Sequence, residues 1–182
     1  MITRRIHYAN DDSQRRINLG VDALLAAESV GGWARNTPFR AAFEHWKGRM
    51  KDGSVQERDI DIDVLRGTSH YLIDVSPENP EHYRFIIFSA TGGTSKRYSD
   101  HIAGLHGTVV AKHPLAAMRE EMMREYLSCK LQKQPSAYRL THRMSGLNRD
   151  YLRLLLPLCD RRGNVVSLLG AARHLGVVPG SP

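Results

Sequence analysis

The alternation of apolar and polar positions is clearest in residues 151–170. Leucines occupy every second position from 152 to 158, the period that places one set of strand side chains in a core. Residues 160–164 are polar and include a glycine, which is typical of a tight turn, and an apolar run resumes over residues 165–170. This pattern predicts the central hairpin of an antiparallel sheet.

Three further segments have the character of strands. Residues 70–75 and 82–90 are apolar runs separated by a loop that contains two prolines. Residues 136–145 alternate apolar side chains with polar ones and lead through a glycine turn into the leucine-rich strand. With the central hairpin, these segments predict an α+β fold built on one five-stranded antiparallel sheet.

Helical periodicity marks three other segments. The pair Thr37-Pro38 has the residue types of an N-cap followed by a first helical proline, and an aromatic stripe follows it. The pair His113-Pro114 opens a longer amphipathic helix that Pro135 ends. A short helix is expected over residues 18–29. We therefore expect the helices to pack on one face of the sheet, with a helical extension at the N-terminus.

The length of 182 residues suits one domain with extensions. We expect an N-terminal helical extension over residues 1–36, the main domain over residues 37–175 and a C-terminal tail over residues 176–182. No apolar run approaches the roughly 20 residues that span a bilayer. The N-terminus is basic but lacks the apolar core of a secretory signal. These features predict a cytoplasmic protein without membrane insertion.

The net charge of +7 raises the question of nucleic-acid binding. The arginines are spread along the chain without a basic run of five, and no helix-turn-helix or aromatic RNA-binding motif is present. The predicted strand at 139–143, together with Arg149 and Arg153, would form one basic strip on the sheet. A nucleic-acid-associated regulator is therefore kept only as a minor alternative.

The motifs of common catalytic and metal sites are absent from the sequence. Cys129 and Cys159 lie in apolar stripes without CxxC spacing, which favours buried free thiols. The acidic residues at 59, 61 and 63 fail the EF-hand pattern, and residues 92–96 fail the phosphate-loop pattern. No activated serine or cysteine motif occurs. We therefore expect a protein that is not an enzyme and has no metal site.

Two segments carry a family resemblance. The hairpin LLLPLCDRRGNVVSLLGA and the lead-in HWKGRMKDGSVQERDIDIDVL resemble a PAS-type sensor domain, in the variant common in alphaproteobacteria. The resemblance spans roughly residues 43–175. It implies that the first and last strands of the domain, near 70–75 and 165–173, are central neighbours in the sheet.

The resemblance also implies where a ligand would bind. The pocket of such folds lies between the inner face of the sheet and the helices that here would span residues 94–110. A flavin-adduct cysteine motif is absent, so covalent flavin photochemistry is not expected. The predicted lining residues are Phe85, Ile87, Tyr98, Ile102, Leu105, His106, Met118, Tyr138, Leu140, Leu154 and Leu156; each of them reads equally well as plain core.

Haem is the most specific cofactor hypothesis. Haem-sensing members of the family hold iron through one histidine of the segment after the second strand, and this chain has His101, His106 and His113 there. His106 is the predicted inward-facing ligand. A surface or helix-capping role is the ordinary alternative for each of them, and the cofactor is otherwise unknown.

The predicted function is that of a cytoplasmic sensory or regulatory domain that binds a small ligand or a partner protein and signals by protein contact. An interaction-only scaffold without a ligand is the first alternative, and an enzyme with an unrecognised pocket is another. The resemblance further implies a homodimer, with residues 18–29 as the expected contact. The partner in the signalling pathway is unknown.

Overall fold

The computed structural model describes residues 14–30, 38–62, 69–89, 105–113, 116–144 and 147–179. Within them the chain forms six strands and three α-helices. In chain order these are β1 Gln14–Leu19, α1 Val21–Val30, α2 Pro38–Gly48, β2 Ser69–Asp74, β3 Arg84–Ser89, α3 Ala116–Gln132, β4 Ser136–Met144, β5 Leu147–Cys159 and β6 Val165–Pro179. The predicted fold class, α+β with one antiparallel sheet, is confirmed.

All six strands belong to one sheet in the order β1-β4-β5-β6-β2-β3. Every neighbouring pair is antiparallel. Strand β2 pairs with β6 along its length, with Leu72 opposite Leu169. The expectation that the strands near 70–75 and 165–173 are neighbours is therefore confirmed. The predicted central hairpin is also present as β5 and β6.

The sixth strand comes from the N-terminal extension, where only a helix was expected. Strand β1 pairs with β4 from Gln14, opposite His142, to Leu19, opposite Ala137. Helix α1 follows after Gly20, and its Leu24 and Leu25 are buried. The extension therefore covers an edge of the sheet and contributes to the core.

Helices cover both faces of the sheet, which differs from the prediction of helices on one face. Helix α2 begins at Pro38, as expected, and buries Phe39, Ala42 and Trp46 at helical spacing. The Trp46 indole N–H donates to the Pro157 carbonyl at 2.9 Å, so α2 is attached directly to the central strand. Because β5 is apolar on both faces, each face needs a cover.

The two faces form separate apolar layers. The α3 layer consists of Tyr71, Ile73, Val75, Tyr83, Phe85, Leu105, Val110, Met122, Tyr126, Cys129, Tyr138, Leu140, Leu155, Cys159, Val165 and Leu168. The α1–α2 layer consists of Leu24, Leu25, Phe39, Ala42, Trp46, Val55, Leu72, Ala137, Leu152, Leu154, Leu156, Leu158, Leu169 and Ala171.

The turn between β5 and β6 is held by Asp160. Its Oδ1 accepts hydrogen bonds from the backbone N–H groups of Arg162 at 2.8 Å and Asn164 at 2.9 Å. Gly163 has a φ of +78°, a conformation that glycine adopts without a steric penalty. Strand β6 then continues to Pro179. The predicted start of a C-terminal tail at residue 176 therefore falls inside this strand.

Candidate functional site

Four of the predicted pocket residues lie together in the α3 layer. Phe85 on β3, Leu105 after it, and Tyr138 and Leu140 on β4 are all buried there. Phe85 also meets Tyr71 edge to face, with ring centroids 6.2 Å apart. This layer is the part of the sheet on which the predicted site is assembled.

Leu154 and Leu156 are not part of that group, and their predicted position is wrong. Both belong to the α1–α2 layer. Directly opposite residues of an antiparallel pair share a face, and Tyr138 is opposite Arg153 whereas Ala137 is opposite Leu154. The residues of β5 that face α3 are therefore Arg153 and its alternate neighbours.

His106 is also misplaced by the prediction. It is exposed, in a turn between Leu105 and Gly107, whereas Leu105 is buried. Gly107 has a φ of +73° and its N–H donates to the Phe85 carbonyl at 2.7 Å, so the chain reverses direction here and His106 points outward. His106 is therefore not an inward-facing iron ligand in this structure.

Of the other two histidines considered for haem, one lies among the described residues. His113 is buried, with its ring 6.5 Å from the Phe85 ring, centroid to centroid. His101 lies outside the described residues, as do Tyr98 and Ile102 of the predicted pocket. The backbones of Ile87 and Met118 lie in β3 and α3, but their side chains are not among those described. The described residues contain no group of three or more candidate metal ligands.

The feature that sequence reasoning missed is a buried ion pair in the α3 layer. Arg153 Nη1 on β5 lies 2.5 Å from Glu125 Oε2 on α3, and the two side chains are 6% and 0% exposed. A signal for it was present, because Glu125 stands at helical spacing between Met122 and Cys129 in the apolar stripe of α3. Arg153 likewise interrupts a run of leucines.

Burial determines the protonation behaviour of this pair. It raises the pKa of the Glu125 carboxyl above its ordinary value, and the Arg153 and Arg16 guanidinium groups only partly offset the rise. Burial also works against the charge of Arg153, but Tyr71, Glu125 and Tyr126 hold its pKa well above the ordinary value. Arg153 is therefore a permanent cation inside the protein.

Tyrosines surround the ion pair. The Arg153 guanidinium lies 5.7 Å from the centroid of the Tyr151 ring, a cation–π distance. Tyr126 is fully buried on α3, and burial together with the neighbouring Tyr71 raises the pKa of its phenol well above the ordinary value. The phenol is therefore neutral at physiological pH, and the layer combines one buried cation with uncharged aromatic groups.

Three buried polar atoms of the α3 layer and its ion pair have no hydrogen-bond partner within the described part of the chain. They are Tyr83 Oη, Arg153 Nε and Glu125 Oε1. A buried hydrogen-bonding group without a partner costs about 1–3 kcal/mol. Such groups are rare in folded proteins, and each one marks a place where a further group would be stabilising.

Side-chain hydrogen bonds attach α3 to neighbouring segments near both of its ends. Near its C-terminal end, Lys130 Nζ donates to the carbonyls of Val75 at 2.6 Å and Pro77 at 2.9 Å. Near its N-terminal end, Arg119 Nε donates to the His113 carbonyl. The helix is therefore attached to the residues that follow β2 and to the segment that precedes the helix.

Strand β3 is the last strand of the sheet, and the segment after the turn at Gly107 covers its outer edge. Phe85 N–H donates to the Thr108 carbonyl at 3.0 Å, and Val110 N–H donates to the Tyr83 carbonyl at 2.8 Å. The backbone around Tyr83 and Phe85 is thus fixed on both sides. These hydrogen bonds help to hold the two aromatic residues in the α3 layer.

Within the described residues, the structure has no helix with the length and apolar character required to cross a bilayer. The two cysteines are free and buried, as predicted. Cys129 Sγ donates to the Gln134 carbonyl at 3.3 Å, and burial raises the pKa of its thiol to about 12. Cys129 is therefore a packing residue in the α3 layer.

Comparison with known proteins gives matches only among solved structures. No family model matches the sequence, and no curated protein matches it significantly. A light-oxygen-voltage domain studied with a flavin analogue is 13% identical over 63% of this chain and 82% of that chain, with a TM-score of 0.39. The light-state LOV domain of the blue-light photoreceptor Aureochrome1 is 18% identical over 60% and 88%, with a TM-score of 0.38. At these scores the similarity is partial, and flavin and light response are features of those proteins.

Proposed function

We propose that this protein is a PAS-like sensory or regulatory domain that binds a small molecule on the α3 side of its sheet. The change on binding passes to a partner protein by direct contact, and the domain performs no catalytic step of its own. The proposal combines the sequence resemblance with the pairing of β2 and β6, which the resemblance implied and which is present in the structure.

The observation that carries the proposal is a set of buried polar atoms in an apolar layer that have no hydrogen-bond partner among the described residues. Tyr83 Oη, Arg153 Nε and Glu125 Oε1 lie on the same side of the sheet as Phe85 and Leu105. Ligand sites combine an apolar lining with a few polar groups that fix orientation. A ligand with an apolar body and at least one hydrogen-bonding group matches this combination.

The first test is to identify what the purified protein carries. The protein is desalted, its absorbance spectrum is recorded, and small molecules released by denaturation are identified by mass spectrometry. We expect a stoichiometric small molecule, and its identity would also decide the haem hypothesis through the presence or absence of a Soret band. A protein that releases nothing and is not stabilised by any member of a metabolite library would contradict ligand binding.

Tyr83→Phe separates ligand contact from simple burial. If Tyr83 Oη meets a ligand, the variant retains less of the co-purified molecule and loses the thermal stabilisation that this molecule confers. If the hydroxyl is only buried, removing an unsatisfied group stabilises the protein by about 1 kcal/mol. The control is Phe43→Leu on α2, because Phe43 packs against the α1–α2 layer on the other face of the sheet.

An interaction-only scaffold is the second candidate, and one observation favours it. Tyr71, Tyr83, Phe85 and Tyr126 are at most 3% exposed, so the protein's own side chains cover much of the α3 layer. In that case the partner contacts an outer surface and no small molecule is needed. The release experiment distinguishes the two candidates.

The alternative of a nucleic-acid-associated regulator loses its supporting feature. The predicted basic strip included Arg153, which is buried against Glu125 on the α3 side. Arg139 is opposite Leu152 of the α1–α2 layer, and its Nη2 lies 2.7 Å from Asp150 Oδ2. Two of the arginines expected in one strip therefore lie on opposite faces, each paired with a carboxylate.

A further inference from the structure

Arg16 of the edge strand β1 reaches over to α3. Its Nη1 lies 3.1 Å from Glu121 Oε2 and 3.7 Å from Glu125 Oε1. The same guanidinium stands 5.4 Å from the centroid of the Tyr138 ring on the neighbouring strand β4. One side chain thus links the N-terminal strand both to the sheet and to the helix that covers it.

Glu125 is shared between two strands. Its Oε2 pairs with Arg153 of the central strand β5, and its Oε1 faces Arg16 of the edge strand β1 at a distance longer than a hydrogen bond. Both carboxylates that contact Arg16 belong to α3. The position of α3 therefore determines how strongly β1 is attached to it.

Strand β1 lies at an edge of the sheet. It pairs with one neighbour, β4, over six residues, and Ile17 is 40% exposed. Short edge strands with exposed side chains occupy the low end of the range of local stabilities. A change in the attachment at Arg16 is therefore expected to alter the docking of the whole strand.

We propose that β1 is a releasable edge strand whose docking on β4 is controlled by the position of α3 through Arg16. When α3 shifts away from the sheet, both carboxylates leave Arg16 and β1 is released from β4. This inference does not depend on whether the α3 side binds a small molecule.

Hydrogen–deuterium exchange of the intact protein, followed by mass spectrometry of peptides, tests the inference. In Arg16→Gln, exchange in residues 14–19 is expected to be at least tenfold faster, with residues 152–159 unchanged. Lys130→Met frees α3 at its far end, where Lys130 holds the Val75 and Pro77 carbonyls. We expect this remote change to speed exchange in α3 and in β1 together.

The double variant Arg16→Gln with Lys130→Met shows whether the two effects share one route. Exchange of β1 in the double variant is expected to match that of Arg16→Gln alone. The control is Arg40→Gln, which removes an exposed pair with Glu44 on α2 and should leave β1 at the wild-type rate. If Arg16→Gln leaves β1 protected, or Lys130→Met loosens α3 while β1 keeps its protection, the inference is overturned. Arg16→Lys is the milder variant if Arg16→Gln does not fold.

Discussion

The phenol ring of Tyr71 on β2 lies directly across Gly170 on β6, in the space that any larger side chain at position 170 would need. A Cβ atom at Gly170 would overlap with ring carbons of Tyr71. The two residues are also register partners. Strand β6 therefore has glycine at position 170 because an aromatic ring rests on its backbone.

Gly170→Ala is expected to destabilise the protein by about 2 kcal/mol, because the added Cβ overlaps with the buried Tyr71 ring and forces it to move within a packed layer. Urea unfolding followed by circular dichroism measures the change. Gly20→Ala is the matched control, since a Cβ there meets nothing within 4 Å and Gly20 does not have a positive φ. Equal stability of the two variants would refute the packing argument.

Replacing one partner of the Glu125–Arg153 pair is expected to reduce stability by an amount that depends on which partner is replaced. Glu125→Gln leaves the permanent cation Arg153 buried without its counter-charge, which costs about 3–5 kcal/mol. Arg153→Met leaves a carboxyl whose pKa burial already raises, so it can become neutral and the loss is expected to be smaller at pH 5. Denaturant titrations at pH 5 and pH 7 measure both variants.

The double variant Glu125→Leu with Arg153→Met is the control for that prediction. Replacing both partners of a buried ion pair by apolar residues is often neutral or stabilising. We expect its stability to lie near that of the wild type and well above that of Glu125→Gln. A double variant as unstable as Glu125→Gln would show that the layer requires the charges themselves.

The turn after β5 predicts a specific dependence of stability on pH. Backbone and side-chain hydrogen bonds from Asn164, and the backbone N–H of Arg162, hold the pKa of the Asp160 carboxyl below its ordinary value. A lowered folded-state pKa stabilises the fold above the ordinary aspartate value, and this contribution disappears as the pH falls through the folded-state pKa.

Asp160→Ala should therefore be less stable than the wild type at pH 6, and the difference should shrink below about pH 4. Unfolding titrations between pH 6 and pH 2 measure the difference. Glu78→Ala is the control, since Glu78 is an exposed acidic residue in the loop between β2 and β3. A wild-type minus variant difference that stays constant over this range would contradict the role assigned to Asp160.

The burial of both thiols predicts slow chemical modification. Cys129 is fully buried with its pKa raised to about 12, and burial also raises the pKa of Cys159. The thiolate is the reactive species, so iodoacetamide at pH 8 is expected to modify neither cysteine in the folded protein and both in 6 M guanidinium. Lys47→Cys adds an exposed thiol on α2 as a positive control. Rapid labelling of Cys129 in the native state would show that α3 opens readily.

The homodimer remains a prediction, and the structure limits which surface would form it. Leu24 and Leu25, the two leucines of α1, are buried in the α1–α2 layer of the same chain. A contact through residues 18–29 would therefore use the exposed side of α1, including Asp22 and Ala23. Light scattering at high micromolar concentration should give the dimer mass for the wild type and a lower mass for Ala23→Arg, which adds a charge to that exposed side. A monomer in both cases contradicts it.

Local patterns in the sequence predicted much of the fold. The alternation over residues 151–158 and the turn at Asp160 identified β5 and β6, and the prolines at 38 and 114 identified the starts of helices near Pro38 and Ala116. These features depend on neighbours close in the chain, through dihedral preferences, capping and side-chain periodicity. Strand β1 was missed because the segment Gln14–Leu19 is polar and becomes a strand only by pairing with β4.

The composition of the site was decided by long-range register. Leu154 and Arg153 are adjacent in a leucine-rich strand that is covered on both faces, and alternation alone cannot say which of them faces α3. Only the pairing of Tyr138 with Arg153 assigns the faces, because a shift of one residue would exchange them all. The sequence by itself therefore determined most of the strand and helix segments, whereas tertiary pairing made a strand of β1 and brought Arg153, Glu125 and Arg16 together.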